Sequence, residues 1–348
     1  MRSSQFQSDL LQWFHKNARV LPWRSHPTPY NVWISEIMLQ QTRVDTVVPY
    51  FVRFITELPD VSALSQVEED KLLKLWQGLG YYNRALNLKK AAKILMETNQ
   101  GQLPSEIKHL LELPGIGPYS AGAIASIAFG KAVPAVDGNV LRIMARILAN
   151  REDINNTKNK KHMQEVMAQL VSEKEPGSFN QAMMDLGATI CLPNGEPKCS
   201  ECPIRRHCQA NKLGATSEIP VKIQKKVRSV EKKTVFVISS EGQFALKKRK
   251  PGGLLPNLWE FPNAEDYLTE KQARDFLSAM GIRVHDMVPI KQSKHVFSHL
   301  EWHMKGFFVT ATADDRVQSE LSWVTGTDIQ HQYSIPTVFK AFMEYCKQ

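Results

Sequence analysis

Apolar residues in the first two thirds of the chain recur at intervals of three and four positions, which is the period of an amphipathic helix. The stretch from Leu72 to Leu79 has this period, and so does the stretch from Ile143 to Leu148. Glycine and proline interrupt the pattern and mark the ends of the predicted helices. We therefore expect residues 1–215 to form an all-α region.

The hydrophobic pattern changes after residue 215. Residues 216–233 are rich in lysine and arginine and have almost no helical period, so we expect a basic linker there. From residue 234 onward, short runs rich in β-branched and aromatic residues predict strands. The runs are TVFVISS, FALKK, WEFPN, WHMKGFFVTAT and LSWV, and one predicted helix, KQARDFLSAMG, interrupts them. Residues 234–348 should therefore form a smaller α+β domain.

Composition narrows the class of protein only a little. The chain has 348 residues, enough for two or three domains that each bury a core. Its 44 Lys and Arg residues exceed its 35 Asp and Glu residues, and the formal net charge of +9 is a weak indication of a polyanionic partner such as nucleic acid. The first residues lack the apolar core of a signal peptide, and no apolar run is long enough to span a bilayer. We expect a monomeric cytoplasmic protein with reduced thiols.

Four of the five cysteines lie close together, with the spacing C-x7-C-x2-C-x5-C; they are Cys191, Cys199, Cys202 and Cys208. A single short loop that supplies four thiolates suits an iron–sulfur cluster. A structural zinc ion is the main alternative. Disulfides are disfavoured, because five cysteines are too few for a disulfide scaffold and one is left over. The spacing alone favours iron–sulfur and leaves zinc open.

The segment LELPGIGPYSAGAIASIAFG, residues 111–130, predicts two helices joined by a tight turn. Gly115 and Gly117 let the backbone turn sharply, and Pro118 suits the first turn of the second helix. Backbone N–H groups at such a helix start attract a phosphate, which is how a helix–hairpin–helix module holds the DNA backbone. An ordinary corner between two helices has the same local pattern.

Two carboxylates are candidates for catalysis. Asp137, in VPAVDGNVLR, precedes a predicted helix, where it could be a helix cap or an ionised group stabilised by backbone N–H groups. Glu36, in PYNVWISEIMLQQTRV, borders the apolar stripe of a predicted helix. Burial there would raise its pKa and let it donate a proton near pH 7, whereas a solvated surface glutamate would have no such role.

The glycine hairpin, an aspartate about twenty residues after it and the four-cysteine loop follow one another in this order along an all-helical region. This arrangement resembles the helix–hairpin–helix DNA glycosylase superfamily, and within it the chain closely resembles the adenine DNA glycosylase (MutY) family. The matching stretches are LPWR, SEIMLQQTRV, GLGYYNRA, LPGIGPYSAGAI, VDGNVLR, FNQAMMDLGA and FSH. The resemblance implies a [4Fe–4S] cluster on the four cysteines. It also implies excision of adenine mispaired with 8-oxoguanine or guanine in double-stranded DNA, a step of base excision repair.

Individual roles follow from the same resemblance. Glu36 would protonate N7 of the flipped adenine and assist the attacking water, and Asp137 would stabilise the cationic sugar or bond to it. Tyr119 and Asn139 would be their partners in the active site, and Arg24 would line the adenine pocket. The residues implied in contacts with DNA or with the lesion are Leu39, Gln41, Thr42, Tyr81, Gly115, Gly117, Phe297, Ser298 and His299.

Bifunctional members of the superfamily have a lysine just inside the helix after the hairpin, where its amine forms a Schiff base. Tyr119 stands at that position in this sequence, so we predict a monofunctional glycosylase. Two alternatives remain at this point. One is an endonuclease III-like glycosylase and lyase that acts on oxidised pyrimidines, and the other is a non-enzymatic iron–sulfur protein that binds DNA.

Two further features qualify the resemblance. The C-terminal region is similar to the Nudix fold, chiefly through LLPNLWEFPN at residues 254–263, but the segment that follows lacks the paired glutamates with which Nudix hydrolases bind Mg²⁺. We expect this domain to recognise 8-oxoguanine rather than to hydrolyse a nucleotide. The first two cysteines are separated by seven residues, where the family usually has six. A turn at Pro193–Gly195 could direct the extra residue outward.

Overall fold

The computed structural model describes residues 3–223, 227–313 and 320–347. The chain divides into two units. Met1–Gln66 and Asn87–Gln224 form the first, and Val67–Leu86 and Lys225–Gln348 form the second. Within the described ranges, no helix is both long enough and apolar enough to cross a membrane.

The described chain is helical up to Lys212, as the spacing of its apolar residues predicts. Short 3₁₀ helices at Cys199–Glu201 and Arg205–His207 lie in the cysteine loop. The α-helices are α1 (Ser3–Asn17), α2 (Pro22–Ser25), α3 (Pro29–Leu39), α4 (Val44–Glu57), α5 (Val61–Gln66), α6 (Glu69–Trp76), α7 (Asn83–Asn99), α8 (Ile107–Leu111), α9 (Pro118–Phe129), α10 (Gly138–Ile147), α11 (Thr157–Leu170), α12 (Pro176–Thr189) and α13 (Gln209–Lys212).

Packing in the first unit fixes the helices that carry the predicted site. Helices α1, α10, α11 and α12 bury a common apolar core, in which Phe6 and Phe179 are fully buried. Helix α9 contacts both α3 and α12. A Cβ atom at Gly122 on α9 would lie 2.2 Å from the backbone oxygen of Pro134, so glycine lets the extended segment before α10 pack directly against α9.

The second unit contains a mixed β-sheet. Its strands lie in the order β3-β2-β1-β6-β5, with β4 paired to β1 and β7 paired to β2. Strands β1 and β6 are parallel, and the other pairs are antiparallel. The strands are β1 (Ser229–Ser240), β2 (Gln243–Lys248), β3 (Trp259–Glu260), β4 (Asn263–Glu265), β5 (Ile282–Val296), β6 (Leu300–Ala313) and β7 (Leu321–Thr325). The helices are α14 (Glu270–Ala279), α15 (Gly326–His331) and α16 (Lys340–Met343), with 3₁₀ helices at Thr337–Phe339 and Glu344–Cys346.

Both faces of this sheet are covered, which explains why the central strand β1 is a nearly continuous apolar run. Val235 and Val237 point into one core, which the C-terminal helices close, whereas Phe236 and Ile238 point into the other, which α14 closes. Side chains alternate between the two faces of a strand, so each core receives every second residue. The predicted fold class, a helical region followed by a smaller α+β domain, is confirmed.

Two details differ from the sequence prediction. Strand β5 was not predicted, because it lies at the edge of the sheet and mixes exposed polar residues with a few buried ones, which hides the alternation of a strand. Strand β1 begins at Ser229, inside the segment predicted as a linker (216–233). Residues 224–226 of that segment lie outside the described residues.

The second unit also includes a segment from the middle of the helical region. Lys74, at the end of α6, donates to the backbone oxygen of Tyr333 at 2.9 Å, and Gln77 donates to that of Ile335 at 2.7 Å. The buried Ser334 hydroxyl donates to the backbone oxygen of Leu73 at 2.8 Å. The predicted boundary near residue 215 does not anticipate this, because such contacts involve backbone oxygens that composition does not reveal.

Candidate active site

A cleft of about 1160 Å³ opens in the first unit. Its wall is built from α2, α3, α9 and α12 and from the loop before α10. The residues of the cleft that the sequence marks for catalysis or DNA contact are Arg24, Glu36, Leu39, Gln41, Thr42, Tyr119, Asp137 and Asn139. Folding therefore brings four separate stretches of the chain to one concave surface large enough for a nucleoside.

Glu36 is a buried acid in this cleft. Only 4% of its surface is exposed, and the Tyr119 hydroxyl donates a hydrogen bond to its Oε2 atom at 2.7 Å. Burial raises the pKa of Glu36 to about 7. The hydrogen bond from Tyr119 and the charge of Arg24 oppose this rise, and the negative charge of Asp137 adds to it. Near neutral pH, Glu36 therefore holds a proton for a substantial part of the time and can donate it.

Asp137 is both a helix cap and a wall of the cleft. Its Oδ1 atom accepts from the Val140 N–H at 2.7 Å, and its Oδ2 atom accepts from the Asn139 side-chain amide at 2.8 Å. The hydrogen bonds that the sequence suggested are therefore present. Burial nevertheless outweighs them and the nearby charge of Arg142, and it raises the pKa of Asp137 above its ordinary value. The hydrogen bonds at the helix start still favour the charged carboxylate, as the sequence suggests, but they act against burial.

Asn139 is held from the side opposite Asp137. Its Oδ1 atom accepts from Arg142 Nη2 at 2.9 Å, and the same guanidinium donates to the backbone oxygens of Gly187 at 2.8 Å and Cys191 at 2.9 Å. A Cβ atom at Gly187 would lie 2.6 Å from that of Asn139, so α10 and α12 meet this closely only because residue 187 is glycine. The contacts fix the orientation of Asn139 and, through it, of Asp137.

The glycine hairpin joins α8 to α9. Gly115 has φ +82°, in the region that favours glycine, and a Cβ atom there would lie 2.9 Å from that of Asn87. Gly117 is the N-cap residue of α9 and has an ordinary φ of −96°, and a Cβ atom there would meet no described atom within 4 Å. The turn thus leaves open space at the start of α9. Tyr119, two residues later, points back to Glu36.

Two residues predicted to contact DNA have a left-handed backbone. Gln41, exposed at the end of α3, has φ +60°. Tyr81, in the second unit, has φ +49° and is 49% exposed, with the Arg84 guanidinium 5.6 Å from the centre of its ring. A non-glycine residue in this region costs free energy, and such residues concentrate at functional sites.

The FSH sequence forms the turn between β5 and β6 in the second unit. The Phe297 N–H donates to the backbone oxygen of Leu300 at 2.8 Å, and the Phe297 ring packs edge-on against Trp302 at 5.1 Å between centres. Ser298 and His299 are exposed at the tip. The hydroxyl oxygens of Ser298 and Tyr81 lie 3.0 Å apart, so two residues marked by the sequence share a hydrogen bond.

The four clustered cysteines are all free thiols and half-buried. Burial, and then the neighbouring cysteines, raise the pKa of Cys202 to about 12, and the same causes act on Cys199 and Cys208. Arg146 Nη1 donates to Cys191 Sγ at 3.1 Å. Across the described residues, no three His, Cys, Asp or Glu side chains are already arranged around one metal position. Four thiols on one short loop, with an arginine against Cys191, nevertheless suit a group that carries net negative charge once thiolates bind it.

A residue far from the cysteine loop in sequence holds the loop from outside, and the sequence did not indicate it. Asp9 on α1 accepts from Arg206 Nε at 2.6 Å and lies 3.0 Å from His207 Nε2. His207 therefore has Asp9 as a partner. The segment between the first two cysteines contains an exposed turn at residues 193–196, in which Gly195 has φ +75°.

Comparison with protein-family models gives two matches. Residues 34–171 match the HhH-GPD superfamily of base excision DNA repair proteins. Residues 234–345 match the NUDIX domain. The first match contains Glu36, Tyr119 and Asp137, and the second contains the whole sheet except the start of β1.

Curated relatives decide the family. The chain is 35% identical over 346 residues to the adenine DNA glycosylase of Buchnera aphidicola subsp. Schizaphis graminum (strain Sg). The aligned region covers 98% of this chain and 99% of the relative. This chain belongs to the adenine DNA glycosylase family. It is also 32% identical to the adenine DNA glycosylase of Homo sapiens, across 85% of this chain and 65% of the relative.

Solved structures agree on the fold of the helical part. The structure of a thermostable thymine-DNA glycosylase is 29% identical to this chain in sequence and superposes with a TM-score of 0.56. The match covers 61% of this chain and 97% of the glycosylase chain. A non-covalent endonuclease III–DNA complex has a TM-score of 0.52 at 21% identity, covering 62% of this chain and 98% of its own, and shows likeness of fold alone.

This member of the adenine DNA glycosylase family contains a buried cluster of charged side chains that its sequence did not indicate. Asp185 on α12 pairs with both Arg19 and Arg24, although its side chain is only 1% exposed. A local signal existed, because an aspartate among the apolar residues of FNQAMMDLGA needs a buried partner. The sequence could not name that partner, since the two arginines precede it by more than 160 residues.

Proposed function

We propose that this chain removes adenine paired with 8-oxoguanine, or with guanine, from double-stranded DNA. The observation that carries the proposal is the buried pair of carboxyls, Glu36 and Asp137, in one cleft of a member of the adenine DNA glycosylase family. The enzyme acts as a hydrolase on N-glycosidic bonds in base excision repair. One chain supplies both the cleft and the FSH loop, so we propose that it works as a monomer on nucleoid DNA.

The chemistry begins when the adenine leaves the base stack and enters the cleft. Neutral adenine is a poor leaving group, so protonation of N7 by Glu36 weakens the bond between N9 and C1′. As that bond breaks, its electron pair goes to the adenine and C1′ becomes cationic. The Asp137 carboxylate stabilises this cation, as carboxylates do in glycoside hydrolysis. Water then adds to C1′ and gives its proton to the Glu36 carboxylate, which restores the acid.

The product should be an abasic site in an unbroken strand. Tyr119 occupies the position of the Schiff-base lysine of bifunctional relatives, and its hydroxyl is bonded to Glu36. Incubation with a duplex that contains adenine opposite 8-oxoguanine should release free adenine, and the strand should break only after hot alkali. Borohydride should trap no covalent adduct. Strand breakage with a trapped adduct would favour the bifunctional alternative, and DNA binding without base release would favour the non-enzymatic one.

We propose that the glycine hairpin holds the DNA backbone. The open space around Gly117 at the start of α9 supports this, because no described residue there blocks the approach of a phosphate. Leu39, Gln41 and Thr42 at the end of α3 line the adjoining wall of the cleft. The strained backbone of Gln41 supports a role in the DNA stack rather than in the core.

We propose that Tyr81 and the loop of Phe297, Ser298 and His299 sense 8-oxoguanine. The 3.0 Å contact between the Tyr81 and Ser298 hydroxyls supports this, because it holds an exposed ring and an exposed loop in one geometry. In the Nudix-like domain, α14 carries only Glu270 and Asp275 as acids, which supports recognition rather than hydrolysis.

Replacing Ser298 with alanine should lower the preference for 8-oxoguanine over guanine. The loss of a hydrogen bond of about 1 kcal/mol corresponds to a change of about fivefold in the ratio of the two single-turnover rates. The measurement is adenine release from duplexes that differ only in the opposing base. Ser322→Ala on β7 is the matched control and should leave the ratio unchanged. If Ser298→Ala also leaves it unchanged, the loop does not sense the lesion.

We propose that Cys191, Cys199, Cys202 and Cys208 hold a [4Fe–4S] cluster. When bound, the cluster would supply a rigid crosslink of the loop rather than a step of the reaction, because both catalytic carboxyls belong to other segments. The purified chain should contain iron and absorb broadly in the violet and blue. Cys202→Ser should lose both signals, whereas Cys346→Ser, which changes the remaining cysteine, should keep them. Zinc in a one-to-one ratio without iron would contradict the assignment.

A further inference from the structure

Asp185 holds two arginines at the wall of the cleft. Its Oδ1 atom accepts from Arg19 Nε at 2.8 Å and from Arg24 Nη2 at 3.0 Å, and its Oδ2 atom accepts from Arg24 Nη1 at 2.7 Å. Arg24 Nη1 also donates to the backbone oxygen of Arg19 at 3.1 Å, and its guanidinium lies 5.4 Å from the centre of the Phe14 ring. These contacts hold the planar guanidinium of Arg24 in one orientation.

The cluster has an excess of positive charge and lines the same cleft as Glu36. Two arginines meet a single carboxylate, and Arg19 and Arg24 both line the cleft. Within the described residues, the buried Nε atom of Arg24 has no hydrogen-bond partner, so the guanidinium is not fully satisfied by the protein. A partly unsatisfied cation near a buried acid acts on its ionisation more strongly than one in water would.

Charged or titratable groups from several elements line the cleft around Glu36. Those of α4, which packs against α3, are Arg43 at its N-cap and Asp45 in its first turn. Tyr119 reaches Glu36 from α9, Asp137 from the start of α10 and Arg24 from α2, and Asp185 on α12 acts through Arg24. Tyr119 and Asp137 belong to the proposed chemistry. The pair of Arg24 and Asp185 therefore acts as a separate influence on the acid.

We propose that Asp185 is a positioning residue that holds Arg24 beside Glu36, and that this ion pair sets the pH above which Glu36 loses its proton. The proposal rests on the function proposed above. Removing Arg24 removes a positive charge that favours the carboxylate, so Glu36 should keep its proton to higher pH. Neutralising Asp185 leaves two unbalanced positive charges, so Glu36 should lose its proton at lower pH. The two substitutions should therefore act in opposite directions.

The test is the single-turnover rate of adenine release between pH 5 and pH 9. The pH at which the rate declines on the alkaline side should increase by about one unit in Arg24→Gln and decrease by a similar amount in Asp185→Asn. Asp185→Glu keeps the charge and should return the fall towards the position of the parent. Arg43→Gln is the matched control, because Arg43 is another arginine of the cleft and is exposed. An alkaline fall that is unmoved in Arg24→Gln overturns the proposal.

A second readout needs no substrate and no activity. The measured quantity is the difference in the free energy of unfolding between Glu36→Gln and its parent. This difference increases with pH until Glu36 ionises in the folded protein. Comparing Glu36→Gln with its parent across pH, with and without Arg24→Gln, should show this rise continuing to higher pH in the Arg24→Gln background. Arg24→Gln leaves Asp185 paired with Arg19, so it stays informative even if Asp185→Asn fails to fold. An unchanged midpoint overturns the inference, whereas absence of adenine release by the parent overturns only the proposed function.

Discussion

Glu36→Gln should lower the single-turnover rate of adenine release by about 10²–10⁴-fold, the range that a positioned general acid contributes. Glutamine has the same shape and can still accept the hydrogen bond from the Tyr119 hydroxyl, but it has no proton to give to the leaving base. The same substitution should make the protein more stable at alkaline pH. The measurement pairs the rate with the free energy of unfolding as a function of pH.

The sign of the stability effect follows from the pKa of Glu36. Its folded-state pKa is raised from 4.5 to about 7, so its favourable burial is fully present below pH 4.5 and is lost as the pH rises through about 7. By pH 8, the ionised carboxylate should cost about 3 kcal/mol that glutamine does not. Glu36→Gln should therefore be a folded, inactive protein, whereas near-parental adenine release by this variant would show that another group is the acid.

Asp137→Asn should lower the rate of adenine release by about 10²–10³-fold while leaving the helix intact. Asparagine caps a helix about as well as aspartate, so the bond from the Val140 N–H to the side chain at position 137 is retained. What disappears is the negative charge that faces the cationic sugar. Burial already disfavours that charge in the free enzyme, so the melting temperature should stay the same or rise.

Asp137→Ala separates the two roles further. Alanine removes the cap as well as the charge, so it should cost about 1 kcal/mol of stability in addition to the lost activity. If Asp137→Asn releases adenine at the parental rate while Asp137→Ala is merely less stable, then Asp137 is a cap without a catalytic role. Circular dichroism melting curves recorded beside the single-turnover rates distinguish these results.

Neighbouring residues in the sequence were sufficient to predict those parts of the site that depend only on local structure. The glycine turn before α9, the position of Asp137 at the start of α10 and the apolar flanks of Glu36 on α3 all follow from neighbouring residues. Each of these signals had a structural alternative, and the order in which they follow one another along the chain, rather than any single one, indicated the family.

Contacts between residues that are far apart in the chain could not be predicted from the sequence. Tyr119 reaches Glu36 across 83 positions, and Arg24 reaches Asp185 across 161. Burial of Asp137 depends on how distant parts of the chain pack, so the neighbouring residues could indicate its hydrogen bonds but not the burial that raises its pKa. The edge strand β5 has too little regular alternation to be recognised before its partner β6 is known.

Release of free adenine under single-turnover conditions at pH 7 tests directly whether this chain excises adenine opposite 8-oxoguanine. Two duplexes are compared that differ only in the base opposite the adenine, 8-oxoguanine in one and thymine in the other, with Glu36→Gln measured beside the parent. The parent chain should release adenine from the 8-oxoguanine duplex, and release from the thymine duplex should not exceed the Glu36→Gln background. No release from the 8-oxoguanine duplex, or equal release from both, would contradict the proposed function.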